Sequence, residues 1–173
     1  MKSQNIMTKF DLLKNSGLVL GCAAFCFNAP LRAGDQVPFK GSLEFTVLSV
    51  TPLDATHFRS EVQVNLHATL LGKAQGPGFF ILDVTTLSYV GGVTWVAANG
   101  DEVFSTFAGQ FVPSAIPGVL DNVESGEIVG GTGRFEGATG PVIGGGQVDA
   151  ATLLPLGPYP IVGTITSPGS LKK

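Results

Sequence analysis

Val93-Thr94-Trp95-Val96-Ala97-Ala98-Asn99-Gly100-Asp101-Glu102-Val103-Phe104-Ser105-Thr106-Phe107 sets an Asn-Gly pair between two runs of alternating apolar residues. Asn and Gly accept the positive φ that a two-residue hairpin turn demands, so Val93 to Ala98 is predicted to pair with Val103 to Val112. Outward from this hairpin the same period of two recurs from Val37 onward, the spacing that sends alternate side chains to opposite faces of a strand. Phe58, Val62, Val64 and Leu66 fall on one face of a run whose other face carries Arg59, Glu61, Gln63 and Asn65. Upstream, Phe39 to Val50 is rich in β formers. Phe79 to Val90 and Gly92 to Ala98 read as two strands joined tightly around Gly91-Gly92. Downstream, a loop through Pro113 and Pro117 leads to strands at Leu120 to Val129, Val142 to Thr152 and Tyr159 to Ser167.

About eight strands and no helix-length stretch predict an all-β fold. Successive antiparallel strands leave two bare edges unless the sheet closes, and eight strands give an interior that side chains just fill or that holds one small ligand. A small closed barrel is therefore expected; an open β-sandwich has the same strand statistics and is the alternative.

The chain has 173 residues, enough for one domain, and its 44% hydrophobic and 13% charged content argues against disorder. The 24 Gly and 11 Pro follow no three-residue period, so they mark turns and exclude a collagen-like repeat. Residues 1–33 read as a signal peptide: Lys2, Lys9 and Lys14, an apolar stretch from Gly17 to Phe27, then small residues at Ala29 and Ala33 as cleavage points. That stretch is too short to span a bilayer, so no integral span is expected after processing, and residues 34–173 form the single mature domain, secreted or periplasmic. An amphipathic first helix on a cytoplasmic protein is one alternative. Another is lipid anchoring through Cys22, with Val19-Leu20-Gly21-Cys22 as a processing box. The portion after residue 33 holds 6 basic and 12 acidic residues, which offers no basic stripe to a nucleic acid. Both cysteines, Cys22 and Cys26, lie in the leader, so no disulfide or thiolate metal site is expected beyond it.

The segment Gly130-Gly131-Thr132-Gly133-Arg134-Phe135-Glu136-Gly137-Ala138-Thr139-Gly140 must turn sharply and repeatedly. It lacks the helix that a phosphate-binding loop needs, since Pro141 and a strand-like run follow. It is expected to cap one barrel end, with Phe135 as the plug. Here the chain resembles the allene oxide cyclase and dirigent superfamily of eight-stranded barrels, in which a Val-Gly-Gly-Thr-Gly-x-Phe element followed by Ala-x-Gly recurs. It looks closest to the exported bacterial allene oxide cyclase-like barrels. The resemblance extends to Pro38-Phe39-Lys40-Gly41-Ser42-Leu43-Glu44, Ala97-Ala98-Asn99-Gly100-Asp101, Phe107-Ala108-Gly109-Gln110 and Gly163-Thr164-Ile165-Thr166-Ser167-Pro168-Gly169. It implies a barrel, cofactor-free chemistry if any, and a dimer or trimer. The family's catalytic sets do not map onto this chain residue by residue, and Thr139 stands where the dirigent pattern carries Arg.

Glu124 and Glu127 lie on opposite faces of one strand, so one of them is expected to point inside, where burial would raise its pKa and fit it for acid chemistry. The alternative is a rim acid paired with Arg134. Tyr89, Trp95, Phe107 and Phe111 are candidate lining for a hydrophobic pocket, although strands enrich aromatics for packing alone. His57 and His67 share the polar face of their strand and are expected to meet solvent, and no metal site or cofactor is expected. The sequence therefore leads to an exported, non-catalytic barrel that binds a small apolar molecule or supports a surface assembly. The alternatives are a cofactor-independent cyclase or isomerase and a structural envelope protein.

Overall fold

The computed structural model describes residues 35–166 and 168–169. The expected leader, its cleavage points and Cys22 lie outside them. Eight strands follow one another: β1 (Gln36–Pro52), β2 (His57–Ala68), β3 (Gly72–Asp83), β4 (Ser88–Ala97), β5 (Glu102–Pro113), β6 (Val119–Gly131), β7 (Gly140–Asp149) and β8 (Tyr159–Thr166). All neighbours pair antiparallel in chain order, and β1 also pairs with β8, so the sheet closes into a barrel rather than opening into a sandwich.

The hairpin pairs as the alternation requires, with Val93 opposite Ser105 and Trp95 opposite Val103, but its turn is corrected: Gly100 takes a positive φ and Asn99 does not, and Ala97 N donates to Asp101 O, so the loop runs through residues 98–100 rather than through Asn-Gly alone. Gly100 sits at φ 86° and donates to the Ala97 carbonyl at 2.9 Å. On β2, Val62, Val64 and Leu66 are buried, whereas Asn65 and His67 are exposed.

The strand boundary placed at Gly91-Gly92 is corrected: both glycines lie inside β4, and the turn is at residues 84–87. Asp83 makes that turn, its carboxylate accepting from the Thr85 amide at 2.8 Å and from the Thr86 hydroxyl at 3.0 Å. Nor does β3 begin at Phe79. It starts at Gly72, and Gly72–Gly78, turn-like in composition, pairs with β2 throughout. The β3–β4 ladder skips Gly76 and Pro77, as expected of a proline that has no N–H to donate. β7 ends at Asp149 rather than Thr152, because the Asp149 carboxylate accepts from the Ala151 and Thr152 amides at 3.1 and 2.9 Å and turns the chain.

The interior packs as two apolar clusters. One holds Phe39, Val103, Ile128, Phe135 and Ile165, all 0% exposed; the other holds Leu82, Tyr89, Phe111 and Val148. A 3-10 turn, Gly133–Phe135, crosses the barrel end between β6 and β7 and drives Phe135 into the first cluster. Burying such a ring stabilises by about 1.5–3 kcal/mol. The turn is tied to the hairpin below it: Glu102 N donates to Thr132 Oγ1 at 3.0 Å, and Arg134 Nε donates to Asp101 Oδ2 at 3.0 Å. Arg134 therefore pairs with Asp101 rather than with either strand glutamate, and its guanidinium lies 4.9 Å from the Phe135 ring centre.

Candidate functional site

Between the two clusters lies an interior cavity of about 70 Å³. The register of β4 to β7 puts Tyr89, Gly109, Glu124 and Gly144 in one inward row, and Phe111, Asn122 and Gly146 in the next. The glycines are what bring polar atoms together here. A methyl group at Gly109 would overlap the Tyr89 ring, and one at Gly146 would come within 3.1 Å of the Tyr159 ring. Each tyrosine thus lies flat over a strand that has no side chain in the way, and the two converge on β6 from opposite sides.

The Tyr89 hydroxyl lies 2.8 Å from Asn122 Oδ1 and 2.8 Å from Glu124 Oε2. One phenolic hydrogen cannot serve both acceptors. The second hydrogen comes from Glu124 in its acid form, or from an Asn122 amide turned so that Nδ2 donates. Burial pushes the Glu124 pKa above its ordinary value, against the opposing pull of the Tyr89 hydrogen bond. Burial and the neighbouring Glu124 charge likewise raise both Tyr89 and Tyr159, so these phenols stay neutral.

All four aromatic candidates, Tyr89, Trp95, Phe107 and Phe111, line this cavity, and so does Glu124; Glu127 is exposed on the outer face. Tyr89 is the hub of the aromatic set, with ring centres 5.1 Å from Phe111, 5.8 Å from Phe80 and 6.1 Å from Phe107. Asn122 and Tyr159 were not singled out from the sequence. The run Gly144-Gly145-Gly146 was the available signal, since inward glycines on a barrel strand announce a large ring arriving from next door. Two lining side chains, Trp95 through Nε1 and Tyr159 through its hydroxyl, are buried without a hydrogen-bond partner among the described residues.

His67 is exposed, and His57 is held at the surface by Asp54, Nδ1 to Oδ2 2.9 Å. Among the described residues no three His, Cys, Asp or Glu side chains converge into a metal-binding group, and no helix is long and apolar enough to cross a membrane. Compared with models of known protein families and with curated proteins, the chain matches none.

Proposed function

We propose that the protein is an exported barrel that binds a compact, largely apolar small molecule in its interior. The carrying observation is the hollow itself: two packed apolar clusters leave between them a cavity walled by aromatic rings, with Glu124, Asn122 and Tyr89 at one side. Interiors close-pack to near-crystalline density, so a retained void with convergent polar groups is the usual mark of a binding site. At about 70 Å³ it falls below the roughly 150 Å³ void that admits benzene, so the fitting ligand has only a few heavy atoms. Export rests on the leader read in residues 1–33. The test is a titration with small cyclic alkenes, read by the fluorescence of Trp95, the sole tryptophan. Saturable response with a raised melting temperature supports binding; a flat response with unchanged melting overturns it.

One observation favours a second reading, cofactor-independent isomerisation or cyclisation of the allene oxide cyclase type. Glu124 is a cavity carboxyl whose acid form burial favours, hydrogen-bonded to Tyr89, and so is able to protonate or polarise a ligand oxygen. A rigid cavity would supply the near-attack shape without a cofactor. Turnover that Glu124→Gln abolishes while binding persists would establish this reading; binding with no turnover of any strained substrate would dismiss it.

A further inference from the structure

Given that interior-binding reading, we infer that the ligand is a compact uncharged molecule presenting an acceptor oxygen, a ketone, aldehyde or ether, to the donors of Tyr159 and Trp95. The reasoning is an inventory of hydrogens around one cavity. Trp95 Nε1 can only donate, and it has no acceptor among the described residues, although the residue is 3% exposed. The Tyr159 hydroxyl, on a residue 2% exposed, is equally unpartnered.

No acceptor of the cavity wall, Glu124 Oε1 included, hydrogen-bonds to either of these donors. Asn122 Oδ1 and Glu124 Oε2 both face the Tyr89 hydroxyl at 2.8 Å. The remaining lining hydroxyl, Ser105 Oγ, donates to the Glu127 carbonyl at 3.0 Å. In either arrangement of the Tyr89–Asn122–Glu124 hydrogens, Trp95 Nε1 and the Tyr159 hydroxyl remain without an acceptor in hydrogen-bond geometry among the described residues. A buried donor without an acceptor costs free energy that a ligand oxygen would recover.

The same inventory sets exclusions. Among the residues lining the cavity none is basic, so a carboxylate ligand would be buried without a counter-ion. An ammonium ligand would pair with Glu124 but, having no acceptor, would satisfy neither orphan. A pure hydrocarbon fits the walls but satisfies neither orphan.

The test compares cyclobutanone with methylenecyclobutane, which share a skeleton and differ by oxygen for CH₂. Both are titrated into the intact protein and into Tyr159→Phe, with ¹H–¹⁵N spectra following the single indole N–H of Trp95. Affinity is taken as the ratio between the two proteins, so the ketone's greater hydration cancels. The expected result is that Tyr159→Phe weakens the ketone about three- to tenfold and leaves the alkene unchanged. The indole proton is expected to move downfield with the ketone alone. Should Tyr159→Phe not fold, the indole shift in the unaltered protein still decides. If both compounds bind, the variant affects them equally and the indole proton ignores the ketone, the acceptor inference is overturned while interior binding stands. If neither compound binds, interior binding itself falls.

Discussion

At the level of single residues, Glu124 illustrates what sequence parity can and cannot say. Alternation established that Glu124 and Glu127 face opposite ways, but which one faces inward depends on the β5–β6 register, where a shift between Phe104 and Ser105 intervenes. Its raised pKa gives a signed expectation. A carboxyl whose folded pKa lies above its ordinary 4.5 contributes stability that is complete below that value and is lost as pH rises through the raised one. The groups facing it, Tyr89, Tyr159 and Asn122, stay neutral over that range. The melting temperature should therefore fall as pH climbs from about 4.5, and Glu124→Gln should flatten this limb; identical pH profiles would refute it. Asp54, Asp83 and Asp149 have the opposite sign. Hydrogen bonds within their turns lower their pKa values, so their contribution is lost as pH drops below the usual carboxylate range. Gly109 belongs at this scale too. Gly109→Ala forces a methyl into the Tyr89 ring and should cost about 1–3 kcal/mol in urea unfolding, with loss of interior binding. A variant as stable as the parent would show that the ring yields freely.

Among the elements, legibility followed the strength of the local signal. The position of the hairpin around Asn99-Gly100, though not its turn type, and the clean alternation of β2 were readable because their chemistry is local. The turn after β3 was not, because Asp83-Val84-Thr85-Thr86 bends through side-chain hydrogen bonds while the neighbouring glycines exist for packing against Phe79 and Phe107. The first half of β3 was missed for a related reason, since inward Ala74, Gly76 and Gly78 look like loop until their neighbours across the barrel are known. The Phe135 ring, fully buried beneath the Gly133–Phe135 turn, can be tested: Phe135→Ala should destabilise by about 3–5 kcal/mol in chemical denaturation. A loss below about 1 kcal/mol would show that the end is closed by other groups. Strand β8 is the least secured. It is 8 residues long and pairs with β7 only at Val142–Gly163, Ile143–Val162 and Gly144–Ile161. Hydrogen exchange should release the amides of Ile161 and Val162 before those of Val62 and Val64; the reverse order would contradict this ranking.

For the whole molecule, closure was legible as a count of strands and an argument about edges, whereas the cavity was not, because hollowness depends on how eight strands tilt and which rings cross. The closing contact joins the ends of the domain: Gln36 lies opposite Thr166, and its Nε2 donates to Thr166 Oγ1 across 130 positions of sequence. A circular permutant that links residues 35 and 169 through a short Gly-Ser bridge and opens the loop at residues 114–118 should regain the parent's near-ultraviolet dichroism. Its failure to do so would show that the order of the strands, and not only their pairing, is required. That same contact sets an order for folding. The half of β1 that meets β8 keeps its amides uncovered until Tyr159–Thr166 docks, however early the other strands pair. An intermediate that has joined β1 to β7 therefore holds most of the structure yet stays adhesive, and one late pairing turns it from sticky to inert.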